Sequence, residues 1–413
     1  MAAGFLKTLY AKINGNVVHG TNNVTMPVGE QRAFLASFDE PKDDYERSFF
    51  KYKCFCEYCY YTRKWMIPIY NLGAMVIYPF IYARFVKKGR TRTAPIKKCD
   101  SVVENVPRLR NDDVIPEELK NNLGETVELE ALDYKNGCLT EHGIEICKEL
   151  RKRYFWHFYF RTIVTMKLAL FNGYLMDYAP DRICFYSCER EFSGPLQTRL
   201  CEKHNAQYIA FMHGDYLYTL SFAFQKYSHY YTWDEAYNRM FESLRCDFPT
   251  TVYQPQKLNA IAQNISEQEC DYFATYYFSA ETRERAERIA AVFRELESHG
   301  LRCKIRAHPR FSDHAMLAEV FAGIAIEDTT THTLAESITE SLYSIGLNTT
   351  VLSQAYFSGK KVAIDDISAP ELYDSLKDQG FIMMSRPHAL LSEIAAQMKT
   401  ENPYDESYRF FIA

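Results

Sequence analysis

Tyr272–Phe278 (YFATYYF), Glu281–His299 and Leu301–Ala307 (LRCKIRA) decide how this chain reads. The first is a short run of strand formers. The second places Ile289, Val292, Phe293 and Leu296 at helical spacing and stops at Gly300. The third is strand-like again and closes on His308-Pro309. A strand, an amphipathic helix and a second strand of these lengths form a βαβ unit, and successive units build a parallel sheet. The pattern continues through helices at Asp313–Phe321 and Leu334–Ser341, a strand at Tyr343–Gly346, a helix at Thr349–Phe357 and a strand at Lys361–Ile364.

Toward the N-terminus the same alternation recurs. Val127–Asp133, Ile183–Ser187, Gln207–Met212 and Tyr227–Thr232 read as strands. Glu141–Arg153, Tyr154–Tyr174, Pro195–His204 and Glu235–Leu244 read as helices. The polar stretch Gln254–Gln268 separates the two series. The expectation is an α/β protein of two Rossmann-like domains facing a cleft, residues 1–255 and 256–413, with ligands beyond the carboxyl ends of the strands. Residues 1–125 follow no such pattern, and 50–98 in particular reads as irregular.

Composition narrows the function. The chain has 413 residues, 47% hydrophobic and 24% charged, so it is neither collagen-like nor disordered. A net charge of −5 provides no general field for nucleic acid, and no nucleic-acid partner is expected. The opening MAAGFLKTLYAKINGN lacks the pattern of a signal peptide, so the 12 cysteines read as reduced thiols of a cytoplasmic protein. Cys54, Cys56 and Cys59 could offer three zinc ligands, but only Cys184 and Cys188 resemble a second pair, and no metal is expected.

Trp65–Ala83 carries no charge and is close to the length of a membrane span. Pro68, Asn71, Gly73, Pro79 and its tyrosines argue against spanning. Basic residues flank it: Arg63 and Lys64 before, Arg84, Lys87, Lys88, Arg90 and Arg92 after. Two readings stand: an interfacial segment meeting an anionic membrane surface through 63–98, at the inner face of the cytoplasmic membrane, or a buried loop and helix. The 31 Tyr and 28 Phe, against 3 Trp, gather in this region and around Tyr154–Tyr178.

Several chemistries lose ground. There is no G-x-G-x-x-G, no G-x-x-x-x-G-K-[ST], no Asp-x-Asp and no G-x-S-x-G. What remains stands at strand ends. Arg306-Ala-His308-Pro309-Arg310 surrounds an imidazole with guanidinium groups and suits an anion, the plain alternative being a surface turn. Asn348-Thr349-Thr350 follows a Gly-containing turn and opens a helix whose free N–H groups suit a phosphate, the alternative being an ordinary cap. Glu189 and Glu191 lie on a loop after a strand, where one could serve as a base. His213-Gly-Asp215 and Asp234-Glu235 end the next two strands.

These motifs resemble those of bacterial GT-B glycosyltransferases that use CMP-activated ulosonic acids, the sialyl-, polysialyl- and Kdo transferases of capsule and lipopolysaccharide assembly. His308-Pro309 is similar to their His-Pro motif. Asn348-Thr349-Thr350, with Gly359-Lys-Lys-Val362 after the helix, is similar to their Ser/Thr motif. Glu189-Arg-Glu191 departs from the acidic pair followed by Gly that sialyltransferases carry. The resemblance implies a GT-B-like fold and a metal-independent, cofactor-free transferase. Its CMP-sugar donor would be held by His213, Arg306, His308, Pro309, Arg310, Ser344, Asn348, Thr349, Thr350 and Ser353. Its acceptor, an oligosaccharide or glycolipid, would lose a proton to Glu191 or Glu189. A UDP-, GDP- or CDP-activated donor and a non-catalytic binding component of an assembly complex remain as rivals.

Overall fold

The computed structural model of the chain describes residues 26–63, 66–92, 95–104, 115–130, 132, 134–186, 188–255, 270–279, 281–309 and 311–397. It divides into two units. Unit 1 takes the described residues up to His213 together with Tyr218–Tyr253. Unit 2 takes Gly214–Leu217 together with the described residues from Gln254 onward.

Unit 1 begins with three helices, α1 (Val28–Ala36), α2 (Asp44–Arg63) and α3 (Met66–Arg90). Then follow β1 (Ser101–Glu104), α4 (Glu117–Asn122), β2 (Thr126–Leu129), α5 (Glu141–Arg153) and α6 (Phe158–Tyr178). The unit closes with β3 (Arg182–Tyr186), α7 (Gly194–Lys203), β4 (Gln207–Phe211), β5 (His229–Thr232), α8 (Glu235–Ser243) and β6 (Thr250–Val252). The strands form one parallel sheet in the order β2-β1-β3-β4-β5-β6. The chain reverses its direction of winding at β1 and β3, which makes that pair the switch point of a flavodoxin-like order.

Unit 2 runs β7 (Tyr272–Tyr277), α9 (Arg283–Ser298), β8 (Cys303–Arg306), α10 (His314–Val320), β9 (Ala325–Glu327) and α11 (Leu334–Thr339). It continues with β10 (Ser341–Gly346), α12 (Thr350–Phe357), β11 (Lys361–Ile364), α13 (Pro370–Asp378), β12 (Ala389–Leu390) and α14 (Leu391–Gln397). Its order, β9-β8-β7-β10-β11-β12, is again all parallel. Counted from the first strand this is 3-2-1-4-5-6, the dinucleotide-fold order, with its switch point between β7 and β10. The core is the predicted one: Ile289, Phe293 and Leu296 of α9 pack on Phe273, Tyr276, Ile305 and Ile345 of the sheet.

The expected α/β architecture of two doubly wound units is thus the observed one. The N-terminal region is not: residues 50–98 hold most of two long helices rather than an irregular segment. Their pattern is blurred because aromatic residues make ring contacts on several sides of α2. Phe49 stacks on Tyr154 with ring centroids 4.2 Å apart, and Tyr52 meets Phe160 at 5.1 Å and Phe192 at 5.2 Å. Much of the tyrosine and phenylalanine excess is therefore ring-on-ring core. Pro68 falls in the first turn of α3, where no N–H partner is needed, and Pro79 is carried inside the helix. Strand β1 was invisible because four residues, SVVE, are too few to show alternation.

The described cysteines are free, and all but Cys246 are buried. Burial pushes the Cys54 thiol up to about 12. Among the described residues no group of His, Cys, Asp or Glu is arranged to hold a metal ion, and the Cys59 side chain lies outside them.

Candidate functional site

In a parallel sheet every carboxyl end lies along one edge, so the residues that follow the strands line up there. In unit 1 the loop after β3 carries Glu189 and Glu191, and β4 leads into His213. The two acids have opposite surroundings. Glu189 is buried, accepts a 2.8 Å hydrogen bond from the Tyr230 hydroxyl of β5, and lies 3.8 Å from Nδ1 of His213. Glu191 forms an ion pair with Lys167 of α6, and its other oxygen is buried without a hydrogen-bond partner among the described residues. Burial works against the Lys167 charge, but Glu191 and then Tyr134 outweigh it and hold the ammonium above its ordinary value.

The loop is braced from below. Lys51 of α2 is buried and donates to three backbone oxygens: Glu189 O at 2.8 Å, Ser221 O at 2.9 Å and Ala223 O at 3.2 Å. Burial pushes its ammonium down to about 8. The Ser48 hydroxyl, one turn earlier, donates to Phe192 O at 2.7 Å. The Gln225 amide donates to Cys188 O at 3.1 Å and to the Tyr227 hydroxyl at 2.6 Å. Gly194 is where this amide passes closest: a Cβ there would stand 2.3 Å from Gln225 Oε1, so a side chain at the start of α7 would displace the amide. Lys51 was missed in the sequence because a lysine in an aromatic helix reads as a solvated charge.

In unit 2 the loops after β8 and β10 flank the loop after β7. His308 follows β8. Its backbone N–H donates to the Ser312 hydroxyl at 2.9 Å, and that hydroxyl donates to Ser279 O, after β7, at 2.7 Å. The His308 ring lies 4.4 Å from the half-exposed Phe311 ring, centroid to centroid. Pro309 is exposed, and Arg310 lies outside the described residues. Arg306 turns away from its expected role: it pairs with Glu327 and donates to His332 O at 3.1 Å and Thr333 O at 3.4 Å, tying β8 to β9 and the start of α11.

After β10, Gly346 permits the chain to turn tightly, for a Cβ there would stand 2.9 Å from Thr349 Cγ2. Asn348 is exposed. Thr349 caps α12, its hydroxyl accepting from Val351 N at 3.3 Å. The Thr350 hydroxyl accepts from Asp215 N at 3.2 Å, and the Ser353 hydroxyl donates to Asp215 Oδ2 at 2.5 Å. A resident carboxylate, Asp215, thus stands at the first turn of α12, on the segment Gly214–Leu217 that belongs to this unit. Ser344 is buried inside β10, where the Tyr277 hydroxyl is its neighbour. Glu281, which follows β7, accepts from Ser279 N at 2.7 Å, and burial raises its carboxyl above the ordinary range.

Of the other strand-end acids, Asp234 is the cap of α8, accepting from Ala236 N at 2.8 Å, and Glu235 accepts from Asn238 at 2.9 Å. Both are structural. Glu189, His213 and Tyr230 are brought together in unit 1. In unit 2 the loop of His308 and the turn of Thr349 stand on either side of the loop of Ser279.

No protein-family model matches the chain, and no curated protein matches its sequence. Among solved structures, the wall teichoic acid polymerase TagF is similar over 83% of this chain and 90% of its own, at 10% identity and a TM-score of 0.43. A UDP-GlcNAc 2-epimerase from Methanocaldococcus jannaschii is similar over 76% of this chain and 97% of its own, at 12% identity and a TM-score of 0.38. The glycosyltransferase of kitacinnamycin is similar over 70% of this chain and 86% of its own, at 10% identity and a TM-score of 0.38.

Proposed function

We propose that the chain is a GT-B-type glycosyltransferase that moves an ulosonic acid from a CMP-sugar to a hydroxyl of a bacterial surface glycan or glycolipid. The observation that supports it best is the switch point of unit 2, with the His308 loop and the capped start of α12 on either side of β7. A nucleotide phosphate suits that edge: His308 supplies a donor, and the first N–H groups of α12 supply others. Phe311 adds an apolar face beside the imidazole.

On this reading unit 1 handles the acceptor. His213 takes the proton of the attacking hydroxyl, with the Glu189 carboxylate 3.8 Å from its Nδ1 as the neighbouring acid. The hydroxyl oxygen bonds to the anomeric carbon as the bond to the CMP phosphate breaks, and the leaving phosphate takes the electron pair. Glu191 is the weaker candidate for the base, because Lys167 already neutralises it. Arg306 drops out of the donor grip for the same kind of reason.

The test is a thermal-shift panel of CMP, CDP, UDP and GDP, followed by CMP release from CMP-activated ulosonic acids. CMP is expected to stabilise the chain, and His308→Ala to abolish that shift. Stabilisation by UDP or GDP alone would reassign the donor. Indifference to every nucleotide would sink the reading.

A further inference from the structure

Helix α3 is long and apolar enough to cross a membrane by length and composition, yet only 22% of its most apolar stretch is buried in the protein. Its buried positions are Met66, Ile67, Ala74, Tyr78, Phe85 and Gly89, a single stripe. The opposite side exposes Ile69, Leu72, Val76, Ile77 and Phe80, with Phe80 at 75% and Val76 at 61%. An apolar stripe of this kind is a surface awaiting a cover.

Charge names the cover. Between Tyr58 and Cys99 there are nine Lys or Arg residues and no Asp or Glu. Arg84, Lys87 and Arg90 are exposed over the last turns of α3 itself. A second copy of this chain laid on the stripe would bring these cations against their own counterparts. An anionic partner is the complementary one. At the same end, Ile81, Arg84, Phe85, Tyr134, Lys135 and Met166 line a cleft of about 210 Å³, with two cations over apolar walls. The N-terminal half of α3 carries an interfacial anchor: Asn71 donates to Trp156 O at 3.0 Å, and Trp156 is 74% exposed.

We propose that α3 lies in the plane of an anionic phospholipid bilayer, with its Ile69–Phe80 face in the acyl boundary and a lipid phosphate at the Arg84–Lys135 cleft. In-plane placement follows from the attachment of the helix to unit 1 along its length. Asn71 accepts from Tyr159 N at 3.0 Å, Arg161 lies 4.3 Å from the Tyr78 ring centroid, and Leu139 N donates to Phe85 O at 3.0 Å. A spanning α3 would drag α6 into the hydrocarbon. The exposed apolar stretch from Ile69 to Phe80 is also only about 17 Å long at 1.5 Å per residue, well short of a bilayer core. This inference is independent of the proposed reaction.

The experiment is flotation of the full chain with vesicles of phosphatidylcholine alone and of phosphatidylcholine with phosphatidylglycerol. The chain should rise with the anionic vesicles only and be released by salt. Val76→Asp with Phe80→Asp should abolish flotation, and Arg84→Gln and Lys87→Gln should each weaken it about fivefold. These side chains are exposed, and thermal melts of the variants check their folding. A second arm needs no substitution of α3: the fluorescence of Trp156, isolated by comparison with Trp156→Phe, should shift to the blue on anionic vesicles. Failure to float with either vesicle, or equal flotation with both, overturns the proposal. So does a dimer in sedimentation that Phe80→Asp dissociates, which would make a second copy the cover. Retention of the chain in vesicles at alkaline carbonate would overturn the in-plane placement.

Discussion

The two units brace the loops beyond their strands in different ways. Behind β3 in unit 1, Glu189 and Glu191 are held by full charges and strong donors: Lys51 beneath the loop, Lys167 beside it, Tyr230 and His213 above. Behind β8 and β10 in unit 2, hydroxyls of Ser312 and Thr349 and backbone groups shape the loops, and Asp215 at α12 is engaged by Ser353. A resident acid that must keep one position needs partners that fix it. A place for a visiting anion needs donors set in position by neutral contacts. On the proposed reading, the first kind of surrounding suits proton transfer in unit 1 and the second suits phosphate binding in unit 2.

Catalysis breaks or sharpens that comparison most strongly. Glu189→Gln and His213→Ala are each expected to lower CMP release by about 10²–10⁴-fold, the usual worth of a general base. Glu191→Gln should act mainly on stability. Equal losses from Glu189→Gln and Glu191→Gln would dissolve the distinction between the two acids.

Next comes Lys51→Met, which leaves three buried carbonyl oxygens without their donor. A loss of about 3 kcal/mol in chemical denaturation is expected, the scale for hydrogen bonds to a charged group. A variant as stable as the parent would remove Lys51 as the brace of the loop.

Alkaline pH tests the buried charge more gently. Burial pushes the thiols of Cys54, Cys147 and Cys184 up to about 12 and that of Cys246 to about 11, from an ordinary 9.0. Their contribution is whole below pH 9 and is lost as the pH rises toward 11–12, because only the unfolded chain ionises there. Lys51, pushed down from 10.5 to about 8, acts the other way between those values. Four thiols outweigh one amine. Melting temperature should therefore fall from pH 9 upward, and a flat profile would contradict the burial of these groups.

The smallest effect is at α12. Thr349→Ala removes a cap and should cost about 1 kcal/mol, with a reduced thermal shift on nucleotide binding. An unchanged nucleotide response would mean that the start of α12 does not meet the phosphate.

Much of the sheet architecture was legible. Helix Glu141–Arg153 and strand Lys361–Ile364 stand at their expected bounds, because one stripe or one short apolar run makes each unambiguous. Helices α2 and α3 were not, since ring stacking and membrane-like composition both erase the 3.6-residue rhythm. Among the candidate residues, the placement of His308 after β8 and of Thr349 at the start of α12 was legible. What sequence could not convey was pairing at long separation: Lys51 with Glu189, Lys167 with Glu191, Arg306 with Glu327. The last of these converts an expected phosphate donor into a strut between strands.

Four residues carry a consequence for anyone dividing this protein. Gly214–Leu217 belongs to unit 2, although long stretches of unit 1 precede and follow it in the chain. A gene cut at codon 254 would leave the C-terminal fragment without Asp215, and its Thr350 and Ser353 hydroxyls would lose the partner they hold in the intact protein. Nucleotide affinities measured on such a fragment would describe a helix start from which a native negative charge has been removed, and would run high for anions.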